Sequence, residues 1–115
     1  MDHKTVRSKN GIVHYWISRS DHHDAKNIVF THGVTANHRM FEKQVEYFSK
    51  LHTVIVWDVP LHGESRPYKD FSFQNSAKEL NAILEIEQID KVVLVGMSLG
   101  GYQARNSQFG ILIRF

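Results

Sequence analysis

Val92-Val93-Leu94-Val95-Gly96-Met97-Ser98-Leu99-Gly100-Gly101 is the stretch whose reading decides the fold. The apolar run Val92-Val93-Leu94-Val95 is short and continuous, as expected of a strand buried on both faces. Glycines on either side of Ser98 let the chain reverse sharply and let the following helix pack closely on that strand. A turn of this shape lifts the serine hydroxyl above the edge of the sheet. The pattern Gly-x-Ser-x-Gly alone would fit any Gly-Ser turn, and its mechanism comes from the apolar run before it and Gly101 after it.

Working outward, the chain alternates strands with amphipathic helices. Residues 5–18 hold two extended segments around Asn10-Gly11, a dipeptide that readily takes the positive φ of a tight hairpin. The polar Asp21-His22-His23-Asp24 lies in an expected loop, and the apolar residues 27–30 form the next strand. In residues 37–50, Phe41, Val45 and Phe48 share one helical face. A β-branched strand at 53–57 ends at Asp58-Val59-Pro60, where proline stops the ladder. Ser72 can cap a helix reaching about Gln88, with Phe73, Ala77, Leu80 and Leu84 in one stripe. Residues 91–95 then feed the Ser98 turn, 99–108 suit a short helix, and 109–115 read as a terminal strand-like piece. This order predicts an α/β class: a mostly parallel sheet begun by an antiparallel hairpin, with helices on both faces.

Composition narrows the function classes. Fourteen Lys plus Arg against 12 Asp plus Glu, scattered along the chain with eight histidines, make no compact basic patch, so neither nucleic acid nor a membrane surface is an expected partner. There is no cysteine for a disulfide or thiolate metal site, and the N-terminal residues lack a signal-peptide apolar segment, which predicts a cytoplasmic protein. Asp21-His22-His23-Asp24 offers metal-ligand residue types, but neighbours in one loop rarely converge on an ion without a second cluster, and a solvated loop is expected. Tyr15, Trp16, Phe41, Tyr47, Phe48 and Trp57 are expected to fill the core. No phosphate-binding glycine motif is present, and no cofactor or metal is implied.

Three motifs follow one another at the carboxyl ends of expected parallel strands, where an open α/β sheet places its ligand crevice. They are Thr31-His32-Gly33-Val34, Asp58-Val59-Pro60-Leu61-His62-Gly63-Glu64-Ser65 and the Ser98 turn. Together they resemble the α/β-hydrolase family over about residues 1–102, with 103–115 divergent; the Ser98 turn is then the family's nucleophile elbow. The resemblance implies an esterase- or lipase-like serine hydrolase acting on a small ester-like substrate. Ser98 is the implied nucleophile, the backbone N–H groups of Val34 and Leu99 the oxyanion donors, and His32-Gly33 the oxyanion loop. Each donor of this kind lowers a barrier by about 2.7–4 kcal/mol. Leu61 departs from the family, which usually has glycine there. Asp58 and His62 are expected to be structural; the alternative that they serve as acid and base conflicts with a family that takes both from after the serine.

Residues 99–115 offer no position for that acid and histidine, and the family's fold needs about 250 residues. The sequence therefore reads as the amino-terminal half of the fold, truncated and inactive as an isolated chain. The competing expectation is a non-catalytic remnant or interaction module that self-associates through an exposed sheet edge, unless residues 110–115 patch that edge.

Overall fold

The computed structural model describes residues 1–33 and 35–96, together with the backbone of 111–114. Its elements are β1 (Asp2–Ser8), β2 (Gly11–Ser18), β3 (Asn27–Thr31), a 3₁₀ turn (His38–Phe41), α1 (Glu42–Phe48), β4 (Thr53–Trp57), α2 (Phe73–Ile86), β5 (Val93–Gly96) and β6 (Ile111–Arg114). They build one six-stranded sheet in the order β1-β2-β4-β3-β5-β6. The pairs β1/β2 and β2/β4 are antiparallel, whereas β3/β4, β3/β5 and β5/β6 are parallel. The expected α/β class with its opening hairpin is thus the observed one, and β6 lies along the outer side of β5. The short helix expected at 99–108 falls outside the described residues. No helix among the described residues is long and apolar enough to cross a membrane.

Burial follows periodicity. In β2 the residues Val13, Tyr15 and Ile17 are buried while those between them are half-buried, and every residue of β4 is buried. Leu80, Ile83 and Leu84 of α2 pack on one face of the sheet with Val13, Tyr15, Ile17, Val29, Ile55 and Trp57. Phe41 and Val45 cover the other face over Ile28, Phe30, Val54, Val56 and Val95. Ser72 caps α2 as expected, its side chain accepting from the Asn75 N–H.

Three local expectations need correction. The hairpin turns at Lys9-Asn10, with Ser8 opposite Gly11, one residue earlier than expected, and neither turn residue has positive φ. Glycine is required at 11 for another reason: a Cβ there would sit 2.9 Å from the Pro67 carbonyl oxygen. The helix expected from residue 37 opens instead as a 3₁₀ turn, because the Asn37 side chain accepts from the nearby Arg39 N–H and the Met40 N–H bonds the Asn37 carbonyl. Tyr47 is 68% exposed, lying off the Phe41/Val45/Phe48 stripe with its ring edge-on to Phe48.

Glu87, at the C-cap of α2, ties the hairpin to the far end of that helix. Its buried carboxylate accepts from the Tyr15 hydroxyl at 2.6 Å, Arg19 at 2.7 Å and Lys4 at 3.0 Å. Burial alone would raise the Glu87 pKa, but these hydrogen bonds outweigh it and hold the group below its ordinary value near 4.5. The unfolded chain therefore binds the extra proton first, so the stability Glu87 carries is full above that value and is lost as pH falls through the lower folded one. Glu87→Gln should cost about 1–3 kcal/mol at neutral pH. It should also flatten the acid limb of a plot of urea midpoint against pH; an acid limb identical to wild type would contradict this account.

Candidate active site

β3 and β4 end side by side, and each delivers one motif to the same end of the sheet. They are held in step by ladder bonds and by a buried bond from the Trp57 indole N–H to the Thr31 hydroxyl at 2.9 Å. Immediately past β3, His32 is 1% exposed. Its Nε2 accepts from the Val59 N–H at 3.0 Å, and its Nδ1 lies 2.8 Å from the Gly33 carbonyl oxygen. An amide N–H can only donate and a carbonyl can only accept, so this network assigns the proton to Nδ1. Burial pushes the His32 pKa down against the opposing pull of the Gly33 carbonyl, which keeps the ring neutral. The ring thereby joins the segment after β3 to the loop after β4.

That second loop is wound around the fully buried carboxylate of Asp58. Asp58 Oδ1 accepts from the His38 N–H at 2.7 Å and from His38 Nδ1 at 2.9 Å, while Oδ2 accepts from the Glu64 N–H at 2.8 Å. Gly63 is pressed against the same carboxylate, so that a Cβ at 63 would lie 2.4 Å from Oδ2. Ser65 closes the loop onto β2: its Oγ accepts from the His14 N–H at 2.9 Å, and the Asp58 N–H bonds the His14 carbonyl at 3.0 Å. Asp58 is therefore structural, as expected. Its ring partner is His38, not His62, whose Nδ1 lies 3.1 Å from the Pro60 carbonyl oxygen. The acid–base reading of Asp58 with His62 has no geometric support. No signal in the sequence marked His38, because nothing local joins it to Asp58, 20 positions away.

Between the two loops lies a cavity of about 390 Å³, lined by Thr35, Ala36, Asn37, Leu61, His62, Gly63 and Arg66. It opens at the carboxyl ends of the parallel strands, where ligands bind in open α/β sheets. A larger cavity of about 650 Å³ sits at the opposite end, beside Asn27 and Val93 where β3 and β5 begin. Of the expected site residues, the structure places His32 and Gly33 at the crevice end. Val34, Ser98 and Leu99 lie outside the described residues.

A profile of the alpha/beta hydrolase fold matches residues 26–106, which include all three motifs. The chain belongs to this family. The AB hydrolase superfamily protein YisY of Bacillus subtilis is 33% identical over 86 residues, covering 69% of this chain and 32% of the relative. The 3-oxoadipate enol-lactonase 1 of Acinetobacter baylyi is 30% identical over 81 residues, covering 70% of this chain and 30% of the relative. Among solved structures, Est816, described as an N-acyl homoserine lactone degrading enzyme, superposes with a TM-score of 0.81 at 27% identity over 90% of this chain and 39% of its own. The chain thus spans about a third of the length of the curated relatives it matches.

Within this alpha/beta hydrolase fold, the position where the family usually has glycine carries a measurable strain. Leu61 has φ +73°, in the left-handed region, and is 44% exposed, so its side chain gains little from packing. Leu61→Gly should therefore raise stability by about 0.5–1 kcal/mol, read as a higher urea midpoint. A lower midpoint would mean that the Leu61 side chain holds the loop.

Proposed function

We infer that this chain carries the nucleophile-bearing part of a serine hydrolase that cleaves carboxylic esters, lactones among them, with Ser98 as nucleophile and the Val34 and Leu99 N–H groups as oxyanion donors. The observation that carries this reading is the pairing of Thr31 with Gly96 in the parallel β3/β5 ladder. Val34 lies three residues past Thr31 and Leu99 three past Gly96, so the two proposed donors follow matched ends of neighbouring strands. The His32 hydrogen bond supports it further. A carbonyl and the N–H after it in one trans peptide unit point opposite ways. The Gly33 oxygen that His32 engages belongs to the peptide unit that carries the proposed donor.

In the proposed reaction, the Ser98 oxygen attacks the ester carbonyl as a general base takes its proton. The two N–H groups receive the oxyanion, and collapse expels the alcohol or opens the lactone ring. Water then releases the acid by the same path. His32 is not assigned as the base, since both its ring nitrogens are engaged and the ring is 1% exposed. In this family the base and its acid partner follow the nucleophile in chain order. The lactone class rests on the named activities of the enol-lactonase and of Est816.

A fluorophosphonate probe tests the reading on the whole protein. Stoichiometric labelling of Ser98, lost in Ser98→Ala, is the expected result. Labelling of another residue, or hydrolysis with an unlabelled Ser98, would overturn it.

A further inference from the structure

On the hairpin side of the Asp58 loop, two imidazoles and a carboxylate from three separate stretches of chain converge. The ring nitrogens of His3 and His14 and a carboxylate oxygen of Glu64 all lie within 4.8 Å of one another. We propose that His3, His14 and Glu64 form a binding site for a divalent transition-metal ion of the zinc class. A tetrahedral ion with bonds of about 2.0–2.2 Å holds its ligand atoms about 3.3 Å apart, which rotamer adjustments of these side chains can reach. Two histidines and one carboxylate suit zinc, cobalt or nickel, whereas calcium and magnesium take oxygen ligands.

The convergence is built into the backbone. In the β1/β2 ladder His3 faces Trp16 and Thr5 faces His14, so the two histidines are diagonal neighbours on one face of the hairpin. Their facing nitrogens, His3 Nε2 and His14 Nδ1, are 2.8 Å apart and share one proton, which an ion would displace. Glu64 is brought to them by the loop fastened to β2 at His14 itself, through the Ser65 hydroxyl and the Asp58 N–H. Asp58 fixes the Glu64 backbone, and the Glu64 carboxylate makes no hydrogen bond or ion pair among the described residues. The rings are stacked in sequence, with His3 on Trp16 at 4.5 Å and 12° and Trp16 on His38 at 3.7 Å and 17°. That stack restrains the His3 ring before any ion arrives. The other exposed group, His22, His23 and Asp24, comes from consecutive residues of one loop, and it serves as the internal control.

Calorimetric titration of the full chain with Zn²⁺, and absorption spectra with Co²⁺ as a geometry reporter, test the proposal. One ion per chain with a tetrahedral Co²⁺ spectrum is expected. His3→Ala, His14→Ala and Glu64→Gln should each weaken binding at least about tenfold, the least that even an outer partner of a metal ligand contributes. A His22→Ala/His23→Ala double variant should bind as wild type. His3 and Glu64 are exposed, so two of these variants leave the core untouched. Three results would each overturn the site: no Zn²⁺ binding at micromolar concentration, loss of binding in the double variant, or binding that survives both His14→Ala and Glu64→Gln. The last would place the ion on the amino terminus and His3 alone.

Discussion

Ser98→Ala is expected to lower kcat for ester or lactone hydrolysis by the whole protein on the order of 10⁶-fold, with KM little changed. Under the proposed mechanism, alanine removes the atom that would form the acyl bond and leaves the proposed Val34 and Leu99 backbone donors in the chain. What remains is the stabilisation that those donors and substrate binding give to direct attack by water, about 10³–10⁴ over the uncatalysed rate in enzymes of this type. The split between kcat and KM is the informative part. A rise in KM at unchanged kcat would mean that Ser98 only contacts the substrate, and unchanged kinetics would remove it from the mechanism. Steady-state rates with one activated ester and one lactone suffice.

Asp58→Ala is expected to cost about 3–5 kcal/mol of folding stability, out of the 5–15 kcal/mol typical of a domain. The carboxylate is fully buried and accepts from two backbone N–H groups and one imidazole. Removing it strands the His38 and Glu64 amides, each at about 1–3 kcal/mol, and leaves a void under Gly63. His38→Ala takes away only the ring donor and should cost less. Asp58→Asn should fall between, since its oxygen can still accept from His38 while its NH₂ meets the Glu64 N–H, another donor. Urea denaturation followed by the fluorescence of Trp16 and Trp57 reads all three. A loss below about 1 kcal/mol for Asp58→Ala would mean that the loop does not depend on its carboxylate. The loop carries Leu61, His62 and Gly63 at the crevice, so the same variant should also loosen the cavity wall.

The sequence by itself determined the strand–helix alternation, the opening hairpin, the parallel strand feeding Ser98 and the cap of α2 at Ser72. Each depends on residues close together in the chain: the apolar run ending at Val95, the Asn10-Gly11 dipeptide between two extended segments, and the stripe from Ala77 to Leu84. The family resemblance marked Leu61 as a departure from a usual glycine, and the structure supplied the reason, a left-handed backbone at φ +73°. Only the tertiary structure decided which side chains meet. Asp58 binds His38 across 20 positions, Glu87 reaches Lys4 across 83 and Tyr15 across 72, and His3 meets His14 through strand register and Glu64 through a loop fastened to the neighbouring strand. Even beside the hairpin turn, Gly11 meets the Pro67-Tyr68 backbone, a contact between residues far apart in the chain that no local pattern shows. Periodicity tells each residue which face it occupies, but the partner on that face is set by crossovers and ladder register, which only the assembled sheet fixes.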